Sequence, residues 1–498
     1  MNASLLSHGE SGSVFGRMFA ADLRQAPPLP DLFLQALAET MNEGPSPGRE
    51  NRRREHSGLD AGYTYLGQFI DHDLSSDRSP FGAPASGSPL PRNFRTPCFD
   101  LDCLYGDGPG SERDRDLYEL GNPARLRLAG HDLVRKSTGR GYIRDSRNDT
   151  NRIVSQIHIA FARSHNRAVD ALRSSGAAAD AAFASARTSL RRHYQWIVLH
   201  EYLPVIVGQE LVNAILPTDG HSGHADLRLL RPAGPGLPSM PVEFSAAAFR
   251  LGHSMVRNSY RLNRQLGETF LFPSEQEPME ATSGLRGLRP LPESMVIEWE
   301  QFFTPRSGSR DLLQLARPID PLLTNALFAL PPLIAVDGPS VLGKNLAYRN
   351  LVRGEHTLRL PTGQELAAWL LDMGLIEEAD ILGKAEPFKL GFGRELSDGS
   401  SLSDLAGTGI SLERLQDTIA AQTPLWYYVL KEAEAFHQGE QLGKVGGRIV
   451  AEVFIKMLLA DGLSILNADA GWRPTPGEFG CVEPGSYRMT DLLGYAQP

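Results

Sequence analysis

Apolar positions recur at helical spacing along much of the chain. Ile153, Ile157, Ala160, Phe161 and Val169 form one stripe and predict a helix over 151–172, with Asp149 or Thr150 as its cap. A second helix is predicted over Ala179–Val207, with Pro204 bending its end. A third starts near Phe244 and runs past His253, and shorter ones cover Gln364–Leu371, Leu412–Ala420 and Gly447–Ala460. Tyr65, Phe69 and Ile70 share a helical spacing that ends in the polar cluster Asp73–Ser79. Strand signals are scarce and no repeat is visible. Residues 1–60 are polar and rich in Pro and Gly, with one short helix near Asp31–Met41, and residues 79–97 read as loop. The expected fold is mainly α: a single large multi-helical domain over 51–498 with long loops, preceded by a partly irregular N-terminal arm over 1–50.

Composition changes this picture little. The chain has 498 residues, 41% hydrophobic and 22% charged, which excludes a fibre and a multi-span membrane protein. Its 49 Gly and 35 Pro fit long irregular connections. The net charge is −9 and no long basic stripe occurs; the run Arg52, Arg53, Arg54 reads as solvated loop, so nucleic acid is not an expected partner. The apolar runs Trp196–Val207 and Ala326–Val336 are too short to span a bilayer. No signal-peptide pattern opens the chain, so the compartment is left between the cytoplasm and leaderless export, and a monomer is the default. Cys98, Cys103 and Cys481 form no disulfide framework and are expected as free thiols. Gly338 to Asn345 nearly matches a phosphate loop but lacks the Ser or Thr hydroxyl and a βαβ setting, and Asn148-Asp149-Thr150 is read as an accidental glycosylation sequon.

The stretch Gly67-Gln68-Phe69-Ile70-Asp71-His72-Asp73 carries the most chemistry. On a helix, Gln68 and His72 share one face, Asp71 lies at its edge, and Asp73 points about 100° away from His72. Thr96, Cys98, Asp100 and Asp102 then place oxygen-bearing groups at every second position. A loop of that spacing plus the remote carboxylate of Asp73 suits Ca²⁺, which takes six to eight oxygens in flexible geometry. A solvated helix end and an Asp-rich turn are the plainer readings of the same residues.

Together these segments resemble the animal-type haem peroxidase family, within the peroxidase–cyclooxygenase superfamily. The similarity continues in order through Asp145-Ser146-Arg147, Phe249-Arg250-Leu251-Gly252-His253, Asn350 to Arg353, and Leu442 to Arg448, over about residues 50–470. The resemblance implies a b-type haem. His72 would be the distal base, passing a proton from hydrogen peroxide to its leaving oxygen, and Arg147 would supply positive charge to the developing oxyanion. Gln68 would hold a water or halide. His253 would be the iron ligand, with Asn350 accepting its other ring N–H. Arg250 and Arg353 would lie near the propionates or the proximal helix. Calcium held by Asp73, Thr96, the Cys98 carbonyl, Asp100 and Asp102 would pin the turn carrying His72, so that its removal disturbs the haem site.

The sequence also departs from the family pattern. Asp71 stands where one haem ester forms, but Thr150 replaces the Glu of the second, so at most one link, through Asp71, is expected. Asp102 replaces a Ser-type ligand. The compact pattern is similar to bacterial-type members. The implied function is haem-dependent reduction of hydrogen peroxide with oxidation of halides, pseudohalides or small phenols, bromide, iodide and phenols ahead of chloride. One alternative is a fatty-acid dioxygenase, against which Arg250 stands at the position of the radical-forming Tyr. The other is a haem-free calcium-binding or adhesion module. Outside the motifs, His165 is read as a packing or capping residue, His193, His200, His221 and His224 as surface, and His356 as structural.

Overall fold

A computed structural model describes residues 13–43, 57–79, 90–217, 225–230, 238–272, 282–331, 342–383, 410–467 and 471–497. Helices dominate them. The longest are Arg152–Ser174, Ala179–Ile197, Lys444–Ala460, Gly62–Leu74 and Leu425–His437. The described strands form four two-stranded antiparallel pairs, such as Ser259–Arg261 with Glu268–Phe270. The long helix Arg152–Ser174 packs against Ala179–Ile197 on one side and against Gly62–Leu74 and the terminal helix Met489–Ala496 on others.

The sequence stripe explains this packing. Ile153, Ile157 and Phe161 are fully buried, and Phe161 stacks on Phe69 of Gly62–Leu74 at 4.9 Å between centroids and 8° between planes. Tyr194 closes the contact edge-on against both rings. The cap of Arg152–Ser174 is Asn151, whose side chain accepts from the Ile153 N–H at 2.8 Å, and not Asp149 or Thr150. Asp149 is drawn away by Arg135, and Thr150 donates its hydroxyl to the Arg147 carbonyl.

The second predicted helix is continuous only to Ile197. A π turn, Val198–Tyr202, then leads into Leu203–Val207. A β-carbon on Gly67 would lie 2.2 Å from the Tyr202 hydroxyl oxygen, so this glycine lets the helix Gly62–Leu74 approach the π turn. The third predicted helix is broken at Ala247, where φ −133° and ψ −77° separate Val242–Ala246 from the 3-10 turn Ala248–His253. The N-terminal residues do not stand apart. The helix Asp31–Thr40 forms as expected, and Phe15, Phe19, Leu34 and Leu37 are buried in the main core. Arg52–Arg54, His221, His224 and residues 338–341 of the near-phosphate-loop segment lie outside the described residues.

Candidate functional site

The helix Gly62–Leu74, the turn Ser146–Asp149 and the turn Ala248–His253 converge on one cavity of about 340 Å³. Its wall brings together Gln68, Asp71, His72, Arg147, Arg250, His253 and Arg353, though they come from four separate stretches of sequence. Asn350 stands behind it, on the helix Leu346–Val352. Asp73, Thr96, Cys98, Asp100 and Asp102 do not line the cavity.

His72 is buried, and its Nδ1 lies 2.7 Å from the Asn148 Oδ1. An amide oxygen can only accept, so Nδ1 carries the proton and the Nε2 lone pair is left free. Burial first, then the Arg147 charge, lowers the His72 pKa to about 4, while Asp145 and Asp71 oppose the shift. The ring is therefore neutral near pH 7.

Arg147 is fixed by its surroundings. Its Nη2 donates to the carbonyls of His72 and Ser75 at 3.1 and 2.7 Å, at the C-terminal end of Gly62–Leu74 where a cation is favoured. Its Nε donates to Asp145 Oδ1 at 3.0 Å, and Asp145 Oδ1 also takes the Arg147 backbone N–H. Arg95 binds the same carboxylate through Nε and Nη2 at 2.9 and 2.7 Å. Burial pushes Asp145 up, but the two guanidiniums overcome it and hold the carboxyl well below its usual range.

On the opposite side, the His253 Nδ1 lies 2.8 Å from the Asn350 Nδ2, and Asn350 Oδ1 accepts from Arg250 Nη1 at 2.5 Å. In this arrangement the amide nitrogen, and not the oxygen expected to accept a ring N–H, faces His253. A guanidinium only donates, so Arg250 claims the amide oxygen and turns the nitrogen toward the imidazole. Burial and then Arg250 lower the His253 pKa to about 3. Trp426 packs edge-on near the His253 ring and donates to the Arg250 carbonyl at 3.3 Å. Arg353 pairs with Asp77, and both line the cavity. Asp71 Oδ1 accepts from the Ser75 hydroxyl at 2.9 Å, and Thr150 shares the wall without offering a carboxylate.

The other face of Gly62–Leu74 carries Asp73. Its two oxygens accept from the backbone N–H groups of Leu101 and Cys103 at 3.1 and 3.2 Å. Asp102 pairs with Arg95 at 2.8 Å, and Asp100 accepts from the Asp102 N–H. Burial raises Asp73 to about 7 and pushes Asp100 up as well, with the Asp102 charge adding to both and Asp73 adding to Asp100. Among the described residues, no three His, Cys, Asp or Glu side chains are arranged to hold a metal ion. The carboxylates are gathered but not converged. Backbone amides and Arg95 occupy oxygens of these carboxylates, and Ca²⁺ would have to displace them.

Sequence reading missed three contributors. Asn148 was hidden inside an apparent sequon, Asp145 was read only as part of a motif, and Asp77 was taken as part of a polar helix end. His193 is buried between Trp472, Phe479 and Tyr487 and is not at the surface, whereas His200 is exposed. His165 packs as expected, bonded to the Tyr105 hydroxyl and the Ala124 carbonyl. All three cysteines are free and buried.

Comparison with known proteins matches residues 123–295 to the animal haem peroxidase family model. The chain is 26% identical to chorion peroxidase of Drosophila melanogaster over 34% of its length and 27% identical to human thyroid peroxidase over 53%. The fold matches peroxidase A of Dictyostelium discoideum with a TM-score of 0.55 and 16% identity, covering 92% of this chain and 91% of that one. The chain is thus similar to animal haem peroxidases over residues 123–295 and shares a peroxidase fold. A rice fatty acid α-dioxygenase shares the fold equally well, with a TM-score of 0.55 and 14% identity over 91% of this chain and 76% of that one. The chain spans 22% of the length of each of the two curated peroxidases. No helix among its described residues is long and apolar enough to cross a membrane.

Proposed function

We propose that this chain is a haem peroxidase that reduces hydrogen peroxide and oxidises halides, pseudohalides or small phenols. The observation that carries the reading is the pair of imidazoles, buried His72 and half-buried His253, on the wall of one cavity, each with its Nδ1 tied to an asparagine. Tying Nδ1 directs Nε2 at whatever the cavity holds. His253 would hold the haem iron, Arg250 and Arg353 would lie near the propionates, and Asp71 would be the carboxylate open to one ester, Thr150 offering none. When bound, haem supplies an iron that binds peroxide and stores its oxidising equivalents.

The protein's own part is proton handling and charge. The Nε2 of His72 takes a proton from peroxide and returns it to the departing oxygen. Arg147, locked by Asp145 and two carbonyls, holds positive charge beside that oxygen at no reorganisation cost. Gln68 would position a water or a halide on the same face. Asn350 must present its oxygen, and not its nitrogen, when the Nε2 of His253 ligates iron, because Nδ1 then carries the proton.

Calcium enters the reading through the Thr96-to-Asp102 spacing and the crowding of Asp73, Asp100 and Asp102. Its binding would require Asp102 to exchange Arg95 for the cation. A fatty-acid dioxygenase is the second reading, favoured by the fold shared with the rice enzyme and opposed by Arg250 at the radical-Tyr position.

The test is peroxide-dependent oxidation by the haem-loaded chain. Turnover is expected with bromide, iodide or a simple phenol and weak turnover with chloride. Absence of peroxide consumption with every donor, or oxygen uptake with a fatty acid in the absence of peroxide, would overturn the reading.

A further inference from the structure

A second buried histidine stands behind the distal one. Asn148 is fully buried, and its two amide ends face two different imidazoles. Oδ1 is 2.7 Å from His72 Nδ1, and Nδ2 is 3.3 Å from His158 Nδ1. His158 lies on Arg152–Ser174, 3% exposed, with its ring edge-on to Phe69 of the His72 helix.

We propose that His158 is a positioning residue that sets the ring tautomer of His72 through Asn148. An amide offers a donor at one end and an acceptor at the other, so its two neighbours cannot be chosen independently. With the lone pair of His158 on Nδ1, the amide donates to it, its oxygen faces His72, and His72 carries its proton on Nδ1. Nε2 then has the lone pair that proton abstraction needs. In the reversed arrangement His158 bears its proton on Nδ1, the amide turns over, and His72 accepts at Nδ1 with a proton on Nε2. That tautomer cannot act as a base toward the cavity. His158 makes this choice at the far end of the chain, where burial keeps its ring neutral. It touches neither the cavity wall nor any group there except through Asn148.

This inference rests on the peroxidase reading, and one experiment separates their failures. The haem-loaded wild type, His158→Phe, His158→Gln, Asn148→Leu and the double variant His158→Phe/Asn148→Leu are compared. The readouts are the second-order reaction with peroxide and the association of cyanide, which must hand its proton to a distal base but involves no turnover. His158→Phe and Asn148→Leu are each expected to slow both reactions about tenfold or more, at the low end of general-base effects. His158→Gln, whose amide oxygen can accept from Asn148, is expected to recover to within a few fold of wild type. The double variant should be no slower than Asn148→Leu, because the relay is already cut. Haem content and the KM for the electron donor should not change. Wild-type rates in Asn148→Leu, or an additive double variant, would overturn the inference. If His158→Phe does not fold, Asn148→Leu and His158→Gln decide it. A wild type that takes up haem but reacts with neither peroxide nor cyanide would instead contradict the peroxidase reading.

Discussion

Two imidazoles on the wall of one cavity are each paired with an asparagine amide, and the two pairs are wired in opposite senses. At His72 the asparagine oxygen meets Nδ1; at His253 the asparagine nitrogen does. The rings and distances are alike, and the difference comes from the third partner. His158 can accept and takes the amide nitrogen of Asn148, while Arg250 can only donate and takes the amide oxygen of Asn350. The distal pair is therefore already set for proton abstraction. The proximal pair must turn its amide before Nε2 can bind a metal.

The largest expected effect comes from loosening the distal wall. Asp145→Ala leaves the buried guanidinium of Arg95 and the half-buried one of Arg147 without their shared carboxylate, which costs about 3 kcal/mol of stability by analogy with broken buried pairs. Denaturant unfolding should show it, with a loss of peroxide reactivity because Arg147 is freed. A midpoint equal to wild type would mean that Asp145 anchors nothing. On the proximal side, Asn350→Leu should weaken haem affinity by about 10–100-fold, the usual range for partners behind a ligand. A haem titration checks this, and unchanged affinity would remove Asn350 from the account.

Acidity gives a third test, away from both pairs. His158, His165 and His193 are held near pKa 4, below the ordinary 6.5, by burial. Between pH 6.5 and 4 the unfolded chain binds protons there and the folded chain does not. Stability should thus fall as pH drops through that window. Melting temperatures at pH 7.5 and pH 5 measure it, and His165→Gln should flatten the decline. The smallest effect concerns the acidic face of the same helix. Added Ca²⁺ should raise the melting temperature by a few degrees and EDTA should reverse the gain, if Asp102 releases Arg95. No shift would leave the Arg95 ion pair as the loop's only brace.

How much of this was legible depended on distance in sequence. The helix Arg152–Ser174 was readable because its apolar residues recur at helical spacing among polar ones, although Arg152 through Ala162 are all buried. The helix Leu425–His437 was not, since Leu425 through Leu430 are all buried and leave no stripe to detect. The break at Ala247 is a backbone event that no side-chain pattern announces. His72, Arg147 and His253 were found through motif order, and the cavity brings them together. Asn148 sits beside Arg147 in sequence, yet its role depends on His158 and His72, which only tertiary packing delivers. His193 looked like a surface residue because its aromatic partners lie nearly 300 residues further on.

The central claim is that two opposed imidazoles serve one haem in different ways. Haem titration of the wild type, His253→Ala and His72→Ala, followed by absorption and then by peroxide addition, tests it directly. The account predicts one haem per wild-type chain, lost binding in His253→Ala, and normal binding with a peroxide reaction slowed about 10²–10⁴-fold in His72→Ala. Equal haem binding by His253→Ala, or an undiminished peroxide reaction in His72→Ala, would contradict it.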